Sequence, residues 1–475
     1  AGPPFQRVFI QAPQELSQAE QEAMLTMRAE LEISVEGEAG VDFPPVFTFD
    51  ELAGVLPEYL VDSLEAGGIE APMPIQSQAM PLVLAGHDII GIARTGSGKT
   101  LAYLLPAVVH IEAQKPLQRQ AASPIALVLA PVRELAVQIA EEAQKLIQGS
   151  SKGNHGPQGI GAVCLFGGGV LNRAPQVAAL KKGCHIVAAT PGRLLDLQST
   201  GDLRLHRVTY FVLDEADRML ECGFEEEVSS IAASIRQDRQ TLFFSATWPV
   251  EVQELASQMC HGQVPPVQVT VGQRDTGGGP TTRGDIVQEV VVFDQPTWEE
   301  RDLKKQELLY SHLREVLAYE GHKVLVFVSR KTLADELCKR LWEEGYHTNA
   351  MHGGRNQDRR LEILESFRSG ETKLLVTTDV MARGLDIPDV SHVVLYDMGE
   401  TSDYVHRIGR TARGPYGCGH ALTFFEYDRK WPQLADELID VLEGAGQEVP
   451  GELRHIGYQA RNGLREAKWA KVAKG

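Results

Sequence analysis

Lys99 and Thr100 close a glycine-bearing run, Thr95-Gly96-Ser97-Gly98-Lys99-Thr100, that lies between two different hydrophobic patterns. Before it, Ile89-Ile90-Gly91-Ile92 is short and apolar like a buried strand; after it, Leu101-Ala102-Tyr103-Leu104-Leu105 reads as the start of a helix. Such a layout is a phosphate cradle. Glycines let backbone N–H groups turn inward onto phosphate oxygens, and the helix N-terminus adds partial positive charge. Lys99 would reach the β- and γ-phosphates and Thr100 would hold Mg²⁺. Ala93 stands where the generic pattern has its first glycine. A second cluster, Asp214-Glu215-Ala216-Asp217, follows the apolar run Tyr210–Leu213. In a chain with a phosphate loop, Asp214 suits the metal and Glu215 suits a base that orients and deprotonates an attacking water. Alone, that tetrapeptide reads equally well as a solvated acidic turn. Together the two clusters predict a bound nucleoside triphosphate with its Mg²⁺.

Positioning such groups takes strands that end side by side. One block of short apolar runs comprises Ile89–Ala93, Ala126–Ala130, Ala162–Phe166, Ile186–Thr190, Tyr210–Leu213 and Thr241–Ser245. A second comprises Lys323–Val328, Thr348–Met351, Leu374–Thr377, Val393–Tyr396 and Ala421–Phe424. Helix-length segments separate the runs, so each block predicts a mostly parallel sheet covered by helices on both faces. Ligands bind such sheets at the carboxyl ends of their strands. Between the blocks, residues 272–285 are rich in glycine and polar residues and read as a linker. The expected organisation is a flank at 1–45, a first domain at 46–271, the linker, a second domain at 286–447 and a basic tail at 448–475. In the flank, Ser17 and Glu20 form a capping box that opens a short helix, followed by an extended segment over Leu31–Val35.

The 475 residues exceed what one core usually holds, and 43% hydrophobic with 23% charged residues is ordinary for a globular chain. No apolar run is long enough to span a bilayer. The chain begins at Ala1 rather than Met, as a trimmed or processed product would. Six cysteines are scattered without a Cys-x-x-Cys pair, which excludes a zinc ribbon and fits a reducing, intracellular setting, nuclear or cytoplasmic. A net charge of −18 argues against nucleic acid as a partner unless the basic residues gather in one groove. The basic segment from Arg454 to Lys474 reads as a phosphate-contacting tail or as a solvated helix.

The order of further motifs narrows the field. They are Gly68-Ile-Glu-Ala-Pro-Met-Pro-Ile-Gln76, Ala93–Thr100, Pro131-Val-Arg-Glu-Leu-Ala136, Gly167-Gly168, Thr190-Pro-Gly-Arg193, Asp214–Asp217 and Ser245-Ala-Thr247. The second block continues with Gln357-Asp-Arg-Arg360, Thr378-Asp-Val-Met-Ala-Arg-Gly-Leu-Asp386 and His406-Arg-Ile-Gly-Arg-Thr-Ala-Arg413. From about Phe49 to Phe425 the chain resembles the DEAD-box family of ATP-dependent RNA helicases. The resemblance implies an α/β fold of two tandem RecA-like domains that bind ATP and single-stranded RNA across a cleft. It implies separation of short duplexes, or remodelling of ribonucleoproteins, by a monomeric core. An ATP-dependent RNA clamp or assembly scaffold with a slow or partner-controlled ATPase would need the same residues.

By that resemblance, Gln76 reads the adenine edge and Phe49 stacks on the base, with Phe47 or Tyr59 as substitutes because the spacing to Gly68 is longer than usual. Thr95 to Thr100 hold the phosphates, and Asp386 lies near the ribose. Arg410 and Arg413 reach the γ-phosphate from the second domain, where a guanidinium fork stabilises transition-state charge. RNA contacts fall to Arg133, Gly167, Gly168, Thr190, Pro191 and Arg193 in the first domain and to Arg360 and Thr378 in the second. Such amides, hydroxyls and arginines track a backbone without reading sequence. Asp217, Ser245, Thr247, Arg383, His406 and Arg407 couple the domains. Met73, Val132, Met381 and Ala412 depart from the family pattern, none of them removing a catalytic group; Val132 loses a hydroxyl donor toward RNA.

Overall fold

The computed structural model describes residues 4–11, 16–37, 40, 42–94, 96–116, 123–167, 173–260, 264–272, 286–379, 390–411 and 419–465. The chain divides into two compact units, Ala1–Arg274 and Asp275–Gly475. Of the expected linker 272–285, all but Gly272 lies outside the described residues. Among the described residues no helix is long and apolar enough to cross a membrane.

Among the described residues the first unit carries eight strands: β1 (Ile33–Glu36), β2 (Ile89–Ile92), β3 (Ala126–Leu129), β4 (Ala162–Leu165), β5 (Ile186–Ala189), β6 (Tyr210–Leu213), β7 (Gln240–Ser245) and β8 (Val267–Val271). They lie in the order β1-β8-β2-β7-β6-β3-β5-β4. Every pairing is parallel except that of β1 with β8. Strand residues are apolar on both sides because both sides are covered. Val128 and Val212 face one core cluster, while Leu127, Leu129 and Phe211 face another. Burial of this kind stabilises the sheet by about 25 cal/mol per Å² of apolar surface.

The second unit holds β9 (Ile286–Val292), β10 (Lys323–Phe327), β11 (Thr348–Met351), β12 (Leu374–Thr377), β13 (Val390–Leu395) and β14 (Gly419–Phe425). Their order is β11-β12-β10-β13-β14-β9, all parallel. It too is sandwiched, with Leu325 and Phe327 in one cluster and Val324 and Val326 in the other.

The described parts of the flank and of the 448–475 segment are built into their units. The capping box at Ser17 and Glu20 opens the helix Gln18–Glu30. Arg28 of that helix is buried and donates to Gln78 Oε1 at 2.9 Å and to the Phe43 carbonyl at 2.8 Å. β1 then completes the sheet. Further upstream, Arg7 pairs with the buried Asp88 at 2.5 Å. At the other end, the basic segment is helical over Gly451–Arg461, with Leu453 and Ile456 in the core. Its arginines meet acids of the same unit: Arg454 pairs with Glu443, Arg461 with Asp436 and Arg465 with Asp294. The described part of 448–475 is therefore a domain element neutralised by its own neighbours, in place of a tail.

Two buried histidines give the first unit an acid sensitivity. His110, bonded to Thr209 Oγ1 at 2.8 Å, and His185, accepting from the Gly161 N–H, are both pushed down by burial to about 3. In the unfolded chain each takes up a proton near pH 6.5. Stability is therefore present above pH 6.5 and is lost as pH falls toward 3, by up to about 1.4 kcal/mol per pH unit for each group. Urea midpoints should drop between pH 7 and pH 5, and an unchanged midpoint would refute the assignment.

Candidate nucleotide and RNA sites

The strand order of the first sheet sorts the chemistry along one edge. Parallel strands end on the same side, so the segments following β2, β7 and β6 lie next to one another, and those following β3, β5 and β4 continue the row. The first three carry Ser97–Thr100, Ser245–Thr247 and Asp214–Asp217; the last three carry Arg133, Thr190 and Gly167.

The loop after β2 needs its glycines. Gly96 and Gly98 have φ of 79° and 83°, which side chains with a Cβ resist. A Cβ on Gly98 would also collide with the Gln76 amide nitrogen and the Met73 sulfur. Gln76 is buried, accepts from the Met73 N–H at 2.9 Å and donates to the Gly98 carbonyl at 2.9 Å. It thereby ties the helix Pro74–Leu84 to the phosphate loop, keeping one amide hydrogen and one lone pair for a base edge. Lys99 is folded onto the Ala93 carbonyl at 2.7 Å, and Ser97 Oγ is buried without a hydrogen-bond partner. Both are groups that phosphate oxygens would satisfy. Thr95 lies outside the described residues.

Asp214 is buried at the end of β6, with Oδ2 accepting from the Tyr103 hydroxyl at 2.9 Å and Oδ1 without a partner. Burial raises its carboxyl above the usual range, opposed chiefly by the nearby Lys99 ammonium. An unmet, buried carboxylate oxygen, on a residue linked to the Thr100 side chain through the Tyr103 hydroxyl, offers hard oxygen donors that fit Mg²⁺. Glu215 is buried and held at φ 55°, ψ 53°, a left-handed conformation costing a non-glycine residue about 1–2 kcal/mol. Asp217 accepts from the Thr247 hydroxyl at 2.9 Å and N–H at 3.1 Å, while its own N–H approaches Ser245 Oγ at 3.3 Å. The ends of β6 and β7 are joined through these bonds.

Farther along the edge, the Arg133 guanidinium lies 3.9 Å from the Phe166 ring centroid. Gln176 bonds to the backbone of Phe166 and accepts from Arg193 at 3.2 Å. Sequence reasoning overlooked Gln176, which carries no motif signal; only its fold neighbours reveal the bridge. Thr190 occupies the N-cap position of the helix Pro191–Ser199 without a side-chain hydrogen bond to it, and Pro191 lies in the first turn. Val132 occupies the N-cap of the helix Arg133–Leu146 without a side-chain cap. Open space surrounds the Cα of Gly167; Gly168 lies outside the described residues.

Phe49 requires a correction. It is 6% exposed and part of the core cluster, so its ring is packed inward, not offered to a base. Tyr59 is also buried, its hydroxyl on Glu112 at 2.7 Å. Phe47 is the exposed aromatic of this segment at 39%.

In the second unit, Arg360, within the helix Gln357–Ser369, and Thr378, directly after β12, are buried. Arg407 is built into its own unit. It is 1% exposed and donates to Asp379 Oδ1 at 2.7 Å and to the carbonyls of Asp397 and Met398 at 2.9 and 2.7 Å. All these partners belong to its own unit, because the segments following β12 and β13 flank β10. His406 and Arg410 are buried too, and Arg410 donates to the His406 carbonyl at 3.3 Å. Arg383, Asp386 and Arg413 lie outside the described residues, as do Met381 and Ala412.

Two family models match the chain: DEAD/DEAH box helicase over 73–255 and Helicase conserved C-terminal domain over 304–415. The ATP-dependent RNA helicase DBP2 of Candida albicans is 42% identical over 96% of this chain and 75% of its own length. DEAD-box ATP-dependent RNA helicase 20 of Arabidopsis thaliana is 42% identical over 90% and 78%. Among solved structures, Mss116p bound to ssRNA and AMP-PNP is 28% identical, covering 87% of this chain and 82% of that one, with a TM-score of 0.70. Dbp5 of S. cerevisiae bound to RNA and ADP BeF3 is 27% identical, covering 88% and 99%, with a TM-score of 0.66.

Proposed function

Because the chain belongs to the DEAD-box family of ATP-dependent RNA helicases, we propose that the edge of its first sheet is the ATP and RNA site of an RNA-stimulated ATPase that separates short duplexes. The observation carrying this reading is the strand order, which puts Lys99, Asp214, Glu215 and the Asp217–Thr247 bonds on one half of the edge. Arg133, Thr190 and Arg193 occupy the other half. Lys99 binds the β- and γ-phosphates, and Gln76 senses the base while bonded to the same loop. Phe47, exposed where Phe49 is buried, is the stacking candidate. Glu215 orients a water and takes its proton. Thr100 and Asp214 would hold Mg²⁺, which neutralises phosphate charge when bound. From the second unit Arg410 and Arg413 supply guanidinium charge to the transition state, with Asp386 toward the ribose. Arg360 and Thr378 extend the backbone contacts, and Gly167 with Gly168 admits the strand closely. Asp217, Ser245, Thr247, Arg383 and His406 pass the nucleotide state to the RNA face. The scattered free thiols support an intracellular site of action.

RNA should stimulate phosphate release severalfold over DNA, and a short RNA duplex should lose its partner strand only with ATP. Absence of both effects would refute the reading, and ATP-dependent retention of RNA without turnover would make the protein a clamp.

Tyr103 adds a positioning residue. Its hydroxyl is wholly buried, donates to Asp214 and is also approached by the Thr100 side chain. Tyr103→Phe leaves Asp214 Oδ2 unpartnered, a loss of about 1–3 kcal/mol in carboxylate positioning. The expected outcome is a folded protein needing more Mg²⁺ for half-maximal ATPase, and an unaltered Mg²⁺ titration would refute the role.

A further inference from the structure

The second unit gathers histidines away from its motif-bearing edge. His392 and His420 are register partners on adjacent strands β13 and β14, near the amino ends of those strands. His312, from the helix Trp298–Val316, packs against both, with ring centroids 5.3 Å from His392 and 5.6 Å from His420. The two strand histidines are 5.1 Å apart, and His322 stands 5.5 Å from His392. One potential ligand atom from each of His312, His392 and His420 lies within 4.8 Å of the others.

The hydrogen bonds say which nitrogens remain. His392 Nδ1 is 3.0 Å from Ser391 Oγ, leaving its Nε2. His420 Nε2 is 3.4 Å from Glu289 Oε2, and its Nδ1 is buried without a hydrogen-bond partner. His312 Nε2 is likewise buried and unpartnered. Buried polar atoms without partners are costly, and two of them in one histidine cluster call for an explanation. Packed imidazoles alone do not supply it, since apolar rings would fill the space without the penalty.

We infer that His312, His392 and His420 form a binding site for a divalent transition-metal ion of the zinc class, with Glu289 orienting His420 from behind. Imidazole nitrogens suit zinc, copper and nickel but not Mg²⁺, so this site is chemically separate from the Asp214–Thr100 oxygens. Three histidines leave a fourth position of a tetrahedral ion for water. A carboxylate on the far nitrogen of a ligating histidine fixes its tautomer and raises its basicity. The ion would pin the helix Trp298–Val316 to β13 and β14, acting as a clip within the second unit.

The full chain, freed of metal by chelator and dialysed into buffer with saturating Mg²⁺, is titrated with ZnCl₂. Bound zinc is measured by elemental analysis and the Tm by thermal unfolding. One equivalent of zinc per chain and a raised Tm are expected. His392→Ala with His420→Ala should abolish both, and His312→Ala alone, on a helix surface, gives the same reading should the double variant not fold. Glu289→Gln should weaken zinc binding by about 10–100-fold. No stoichiometric zinc in the parent, or undiminished zinc in the histidine variants, overturns the site.

Discussion

Glu215→Gln should stop ATP turnover while leaving ATP binding intact, with kcat falling about 10²–10⁴-fold, the range a positioned general base supplies. Glutamine keeps the size and the hydrogen-bonding oxygen but cannot accept the proton. The backbone sharpens the test. Glu215 sits at φ 55°, where a side chain is strained and glycine is not. Glu215→Gly should thus be as inactive as the glutamine variant yet more resistant to urea, by about 1 kcal/mol. Hydrolysis at the parental rate in the glutamine variant would remove Glu215 from the reaction. Lower stability of the glycine variant would show that the left-handed turn is not strained.

The next largest effect is expected at Arg407, and on stability before coupling. Its guanidinium is enclosed by Asp379, two backbone carbonyls and, 5.7 Å away, the Phe327 ring. Arg407→Ala would leave Asp379 uncompensated and both carbonyls unmet. Breaking a buried pair this way costs about 3–5 kcal/mol; Asp379 keeps 29% side-chain exposure, which puts the loss toward the lower end. Arg407→Lys keeps the charge but loses the planar fork, so only part of the loss is recovered. Urea unfolding should show the transition of the second unit moving down while that of the first stays in place. An unshifted transition with lost RNA-stimulated ATPase would instead restore Arg407 to a coupling role between domains.

What the sequence disclosed, and what it hid, follows from how each feature is encoded. Strands buried on both faces announce themselves as unbroken apolar runs, and the runs at Ala126, Ile186 and Tyr210 became β3, β5 and β6. β8 (Val-Gln-Val-Thr-Val) alternates polar and apolar residues and β9 (Ile-Val-Gln-Glu-Val-Val-Val) is interrupted by a polar pair, both beside a glycine-rich stretch, and neither was anticipated. Motif chemistry was legible because phosphate binding demands fixed residue types at fixed spacing. Phe49 misled because an aromatic has the same letter whether it fills a core or stacks on a base. Arg407 shows a related limit, since a motif arginine carries no mark of the own-unit partners that hold it. Gln176, Tyr103 and the three histidines stayed hidden because their meaning arises only when distant segments converge.

The antiparallel pairing of β1 with β8 has a practical corollary. β8 is the last regular element before the connector, and on one side its N–H and C=O groups are met only by the strand contributed from residues 33–36. Trimming the protein at the start of the motif region, near residue 46, would strip that partner and bare a row of valines and unpaired amides. Exposed rims of this kind recruit other chains. A shortened form is therefore expected to self-associate, whereas one retaining everything from Arg7 onward should stay monodisperse.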